Sequence, residues 1–285
     1  MSDKPLFSIL IATRNCADLL PRCLDSIARQ DFAATEILVA DGGSTDGTVA
    51  LLEDRAADLA YWHSRPDSGP YDAWNALLPR IEGRWVMFLG ADDRLAGDDT
   101  LSRLADACAR LPDRAPRLDY VYGLTEFLAE GKAIEEFGTP PPSSGCLDLT
   151  RDLPFSHTGL LHHRDLFVEF GNFPEDYAIA GDAYFVLRSA RDPRTRFHHV
   201  PIPVARMAAG GLSSSVRSRL ACYREVEQAR RSLAIEPVRP RWLASLQRRS
   251  AWAARIHALL GERGLLLAAN AYRRLTGRTV RNRYR

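Results

Sequence analysis

The stretch that most constrains this chain is a run of five apolar residues, Trp85 to Leu89, followed at once by Gly90-Ala91-Asp92-Asp93. The run is too short for a free-standing helix and shows no polar alternation. It therefore reads as a strand buried on both faces, as in the middle of a parallel sheet. Its abrupt end delivers two adjacent carboxylates to the strand's carboxyl end, the edge at which open α/β sheets bind ligands. Two such carboxylates repel one another unless a cation or a polar ligand joins them. A hard divalent ion shared with phosphate oxygens would be the natural partner. The competing reading is a solvated turn ahead of the next helix, since Asp98 and Asp99 also precede an apolar-periodic segment.

The same pattern recurs upstream. Residues 7–12 form a first buried strand, and Leu19, Leu20, Cys23, Leu24 and Ile27 then recur at helical spacing, predicting a helix from about 18 to 30. Residues 36–40 form a second strand ending at Asp41. A turn over 42–48 follows, with Ser44 or Thr45 as N-cap of a helix reaching Arg55. A short third strand over 59–63, a loop over 66–70 and a helix over 71–81 lead into the central run. Strand–helix repeats of this kind predict a right-handed, doubly wound and mostly parallel sheet.

The middle of the chain is less regular. Strands are expected at 120–123 and 126–128 with a hairpin turn at Glu130-Gly131-Lys132, then at 159–162. A helix is expected from Asp182 to Ser189, and strands at 196–200 and 204–208, separated by Pro201 and Pro203. From Ser213 onward the pattern is helical, over roughly 215–234, 240–260 and 262–276.

With 285 residues the chain has ample material for a full core. Its five cysteines are odd in number and lack metal-ligand spacing, which argues for buried thiols in a reducing compartment. No signal-peptide pattern opens the sequence and no apolar stretch is long enough to span a bilayer, so a cytoplasmic protein is expected. The net charge of +2 conceals an asymmetry: residues 217–285 carry 17 Arg against 4 Glu, while residues 1–216 carry a net charge of −11. An acidic body with a basic appendage is the reading.

Four segments in order carry a more specific signal. Thr13-Arg14-Asn15 follows the first strand and Asp41-Gly42-Gly43-Ser44-Thr45-Asp46-Gly47-Thr48 the second. Pro66-Asp67-Ser68-Gly69-Pro70-Tyr71-Asp72-Ala73-Trp74-Asn75 comes next, then Phe88-Leu89-Gly90-Ala91-Asp92-Asp93. Together they resemble the family-2 inverting glycosyltransferases of GT-A fold. The resemblance continues in Gly181-Asp182 and in Gly210-Gly211-Leu212-Ser213, and covers roughly residues 5 to 215. It implies an α/β, GT-A-type doubly wound sheet with a C-terminal helical extension. The expected domains are 1–215, with a nucleotide-binding half at about 5–115 and an acceptor half at about 116–215, and a basic extension over 216–285.

The resemblance also implies chemistry. The enzyme would be an inverting transferase moving a sugar from a nucleotide-sugar donor, with a UDP-sugar as the leading expectation, to a glycan or lipid-linked acceptor. Thr13, Asn15, Asp41, Asp67 and Asp92 match positions that bind the nucleotide-sugar in such enzymes, and Asp93 matches the ligand of Mn2+ or Mg2+. The segment here is Ala-Asp-Asp, so two positions of the family's acidic pattern are acidic. Asp182 matches the general base that takes the acceptor proton; N-capping its helix is the alternative. The family often shows Glu-Asp where this chain has Gly181-Asp182. Several other residues carry bland readings beside the functional ones. Asp41 and Asp46 could be turn residues, Thr13 a helix cap and Asp67 a turn former. His157 sits where relatives carry a polar acceptor-side residue, and a structural histidine is the alternative. Trp62, Trp74 and Trp85 read as core, and His162-His163 and His198-His199 lack ligand spacing.

Other classes fit less well. No Gly-x-Gly-x-x-Gly follows the first strand and no Gly-x-x-x-x-Gly-Lys occurs, which disfavours dinucleotide-binding and P-loop enzymes. A sugar-1-phosphate nucleotidyltransferase shares the architecture but needs a Gly-rich basic loop where this chain has Thr13-Arg14-Asn15-Cys16. A non-catalytic scaffold is the remaining alternative. In the extension Trp242, Leu243, Leu246, Trp252, Ile256, Leu259 and Leu260 recur at roughly helical spacing among arginines. Such a face is expected to meet the α/β body, a second copy in a homodimer, or an anionic membrane surface at the inner face of the cell membrane. No nucleic-acid partner is expected.

Overall fold

The computed structural model describes residues 4–112, 115–129, 132–141, 145–149, 151–208 and 216–236, with single positions between 248 and 261. In chain order the elements begin β1 (Phe7–Thr13), α1 (Leu20–Ala28), β2 (Thr35–Asp41), α2 (Thr48–Asp54), β3 (Tyr61–Ser64), α3 (Pro70–Leu77) and β4 (Trp85–Gly90). They continue with β5 (Arg94–Leu95), α4 (Thr100–Ala109), β6 (Asp119–Ala129), β7 (Lys132–Phe137), β8 (Leu160–His163) and α5 (Asp165–Phe170). The last are α6 (Gly181–Ala190), β9 (Arg196–Ala208) and α7 (Val216–Ser232).

One sheet runs through the body in the order β3-β2-β1-β4-β8-β6-β9-β5, with β7 pairing to β6. β1 to β4 are parallel, as the apolar runs predict. The register pairs Thr13 with Asp41, Ala12 with Gly90 and Asp41 with Ser64. The carboxyl ends of these strands therefore finish at one level, and their loops open on one edge. Side-chain alternation explains why the strands are apolar throughout. Ile9, Ile11, Val39, Met87 and Leu89 pack with Cys23 and Leu24 of α1 and Leu101 and Leu104 of α4. Leu10, Leu38, Val86 and Phe88 pack on the opposite face with Tyr71 and Leu77 of α3 and Phe185 and Val186 of α6.

Three local expectations need correction. α2 starts at Thr48 after Gly47 at φ 100°, and the turn is organised by Asp46 in place of Ser44 or Thr45. Asp46 Oδ1 accepts from the Thr48 N–H and hydroxyl, and Oδ2 from the Ala17 N–H. The two strands expected at 120–128 are one strand, β6. Likewise β9 runs unbroken through Pro201 and Pro203, because register shifts between Tyr122 and Thr125 of the partner absorb the lost ladder donors.

α7 lies where the basic extension was expected to begin, and it packs on the body. Ala229 and Leu233 are buried in the same core as α6, and the buried Arg230 guanidinium donates to the carbonyls of Leu149 and Arg151. Gly210-Gly211-Leu212-Ser213 and residues 262–276 lie outside the described residues, as do Trp242, Leu243 and Leu246. At the described positions nearby, Trp252, Leu259 and Leu260 are exposed. Among the described residues no helix is long and apolar enough to cross a membrane.

Candidate active site

A cleft of about 810 Å³ opens at the carboxyl edge of the sheet. Its floor is the end of β1 and β4, contributing Thr13, Phe88 and Gly90. One wall is the 67–74 segment leading into α3, and the opposite wall comes from 153–158 and the 175–183 segment entering α6. The volume lies in the range of small-molecule and cofactor pockets. Of the residues singled out from the sequence, Thr13, Asp67, Asp92, Asp93, His157 and Asp182 line this one cleft.

Asp93 is buried. Its Oδ2 accepts from the Gly90 N–H at 3.1 Å and from the Thr158 hydroxyl at 3.2 Å. Burial, and then the neighbouring Asp92 charge, push its carboxyl up to about 7. The β4 terminus thus holds a carboxylate pair whose repulsion a cation would relieve. Among the described residues no three Asp, Glu, His or Cys side chains converge as a ready-made cage. The pair still fits a hard divalent ion that takes its other ligands from phosphate oxygens and water, the usual manner of Mg2+ binding.

Asp67 lies across the cleft. Its Oδ1 accepts from the Gly69 N–H at 3.1 Å, and burial raises its carboxyl above the ordinary range. Gly42 leaves room for its approach: a Cβ there would lie 2.8 Å from Asp67 Oδ2 and would displace that carboxylate. Thr13 closes β1 with its hydroxyl buried and unpartnered, and α1 begins at Leu20, so Thr13 does not cap it.

Two of the singled-out residues, Asp41 and Asn15, are not among those that line the cleft. Asp41 is fully buried and accepts from Gly43 N–H at 3.1 Å, Ser44 N–H at 2.9 Å, Ser64 hydroxyl at 2.6 Å and Ser44 hydroxyl. It holds the β2 turn in shape. Asn15 is exposed, at φ 51°. Its N–H donates to Ser44 Oγ and its Oδ1 accepts from the Thr45 N–H, tying the β1 loop to the β2 loop.

Asp182 occupies the first turn of α6, whose N-cap is Ala180, so capping is not its role. Its Oδ1 accepts from the Tyr71 hydroxyl at 2.9 Å, and its Oδ2 lies 3.9 Å from His157 Nδ1. Gly181 is small because the Tyr71 ring fills the space: a Cβ would meet Tyr71 Cε2 at 2.9 Å. His157 stacks on Phe88 at 5.3 Å and leans on Trp74 at 5.4 Å. Burial lowers its pKa below the ordinary imidazole range, with the Asp182 charge opposing that shift. Sequence reasoning assigned no role to Tyr71 and placed Trp74 in the core, yet both line the cleft. Their aromatic character gave no signal of this, since it equally suits a core.

A sheet that is parallel through β3-β2-β1-β4, with carboxylates where those strands end, has the GT-A architecture. A model of the family described as glycosyl transferase family 2 matches residues 8–130. A PGL/p-HBAD biosynthesis glycosyltransferase of Mycobacterium tuberculosis is 36% identical over 220 residues, covering 74% of this chain and 80% of the relative. An uncharacterized glycosyltransferase of the same species is 29% identical over 192 residues, covering 67% and 71%. The chain belongs to glycosyl transferase family 2. Among solved structures, the mannosyltransferase PcManGT of Pyrobaculum calidifontis, in complex with GDP-Man and Mn2+, matches with a TM-score of 0.61 at 23% identity. That match covers 94% of this chain and 76% of the other. Staphylococcus aureus TarS residues 1–349 in complex with UDP-GlcNAc match at 0.58 and 19% identity, covering 78% and 66%. The chain spans 39% of the longer TarS chain it also matches.

Proposed function

We propose that this chain is an inverting transferase that moves a sugar from a nucleotide-sugar, with UDP-sugars first among the candidates, to a glycan or lipid-linked hydroxyl. The observation that carries this reading is that Asp92-Asp93, at the β4 end of the floor, and Asp182, on a wall, line one cleft of nucleotide-sugar size. In the proposed reaction Asp182 takes the acceptor hydroxyl proton as the oxygen bonds to the sugar's anomeric carbon. The bond from that carbon to the diphosphate breaks on the opposite side, inverting the centre. Asp92 and Asp93 would hold Mn2+ or Mg2+, which would offset the charge growing on the departing diphosphate. Asp67 and Thr13 line the donor side. Asp41 and Asn15 shape the loops after β1 and β2, and direct contact of Asp41 with the base is the family-based proposal.

The basic extension and its exposed Trp252, Leu259 and Leu260 support peripheral attachment to an anionic membrane, which suits a lipid-linked acceptor. Dimerisation through the same face is the alternative. A thermal-shift panel of UDP, GDP, dTDP and CDP, each with and without Mn2+, tests the donor assignment, since a ligand that binds the native state raises the melting temperature. One nucleotide should stabilise the protein in Mn2+ and lose that effect in EDTA. No shift with any of the four at millimolar concentration overturns the proposal.

A further inference from the structure

The segment that carries Asp182 is gripped from two sides. From α3, the Tyr71 hydroxyl reaches the Ile179 carbonyl at 2.6 Å and Asp182 Oδ1 at 2.9 Å. From α7, the Glu225 carboxylate receives three consecutive backbone N–H groups. Ala178 donates to Oε1 at 3.1 Å, while Ile179 and Ala180 each donate to Oε2 at 2.8 Å. Successive amides converging in this way make an anion-binding concavity, here filled by the chain's own side chain. A carboxylate beside the first turn of α6 is also favoured by the helix dipole. Ala180 is the N-cap of α6 and has no side-chain cap, so Glu225 supplies from another helix what the local sequence lacks.

Glu225 is itself fixed. It shares a helical face with Cys222, which lines the cleft, and with Ala229, which is buried in the core. One residue beyond Ala229, Arg230 anchors the helix to the carbonyls of Leu149 and Arg151. Asp182 lies two positions beyond the last amide that Glu225 binds, with only Gly181 between, so a shift of this clamp becomes a shift of that carboxylate. On the reading of Asp182 as the base, we propose that Glu225 is a positioning residue: α7 sets the aim of Asp182 through the three amides of Ala178, Ile179 and Ala180.

The test uses the full chain with Glu225→Ala and Glu225→Gln, alone and combined with Asp182→Asn. Glu227→Gln serves as a control, because Glu227 pairs with Arg231 on the same helix. Turnover is read as UDP release from UDP-GlcNAc and GDP release from GDP-mannose, with water as acceptor. Hydrogen exchange of Ala178–Ala180 is followed in parallel. Glu225→Ala should speed exchange at these amides and lower turnover about 10- to 100-fold, the scale of a misplaced catalytic group. Donor KM should stay within about twofold. In the Asp182→Asn background the same change should cost less than about twofold more, since residues acting as a unit are non-additive. Should the alanine variant fail to fold, Glu225→Gln, which offers one acceptor oxygen for two, should show a smaller loss of the same kind. An undiminished loss in the Asp182→Asn background overturns the inference, as does unchanged exchange at the three amides or wild-type turnover in Glu225→Ala. Near-full turnover of Asp182→Asn alone refutes the base assignment itself, whatever Glu225 does.

Discussion

Removing the Asp41 carboxylate separates turn-holding from ligand contact. The side chain is fully buried and accepts four hydrogen bonds, two from backbone amides and two from serine hydroxyls. In Asp41→Ala both hydroxyls can rotate towards new partners, but the Gly43 and Ser44 amides cannot. These amides are only part-buried, and a fully buried unsatisfied donor costs about 1–3 kcal/mol, so about 2–6 kcal/mol is the upper bound on the loss. For a domain of this size that lowers the melting temperature by on the order of 10 °C. Asp41→Asn should behave differently. Its amide oxygen can replace Oδ2 for Gly43, Ser44 and Ser64, while its NH2 donates to the Ser44 hydroxyl, so the cost falls to about 1 kcal/mol. Calorimetric melting of the three proteins without nucleotide measures both steps. Equal melting temperatures for wild type and Asp41→Ala would refute the argument and return Asp41 to ligand contact alone.

Other perturbations test neighbouring parts of the site. Asp93→Ala should abolish the Mn2+-dependent stabilisation by nucleoside diphosphate and leave the fold intact, measured by calorimetry; equal wild-type affinity in EDTA and Mn2+ would rule out metal-assisted binding. Gly42→Ala should leave stability within about 1 kcal/mol, because the clash is with the mobile end of a side chain. It should nonetheless push Asp67 aside and weaken nucleotide binding in a titration, and unchanged affinity would show that Asp67 makes no donor contact. Co-sedimentation with anionic liposomes should occur at low salt and fade at high salt, whereas equal binding to neutral vesicles would leave the extension a packing or dimerising element.

The parallel half of the fold was legible because both faces of β1, β2 and β4 are buried, and such strands announce themselves as unbroken apolar runs. The acidic positions at their ends followed from where those runs stop. The antiparallel half was harder. Pro201 and Pro203 signal a break locally, and only pairing with β6 shows that one bent strand carries both.

Roles divided in the same way. Sequence alone placed Asp92, Asp93 and Asp182 among the chemistry-bearing residues by motif, but it could not choose base over cap for Asp182. The start of α6 removes the cap reading, and Tyr71, 111 residues away, is the partner that the sequence could not show; the base role itself stays a proposal. Nor could it show that Asp41 spends its oxygens on its own turn and on Ser64, or that α7 joins the body through Ala229, Arg230 and Leu233. Periodicity and chain-local turns are written in neighbouring residues, whereas a carboxylate's role depends on which donors the finished sheet and helices bring within about 3 Å of it.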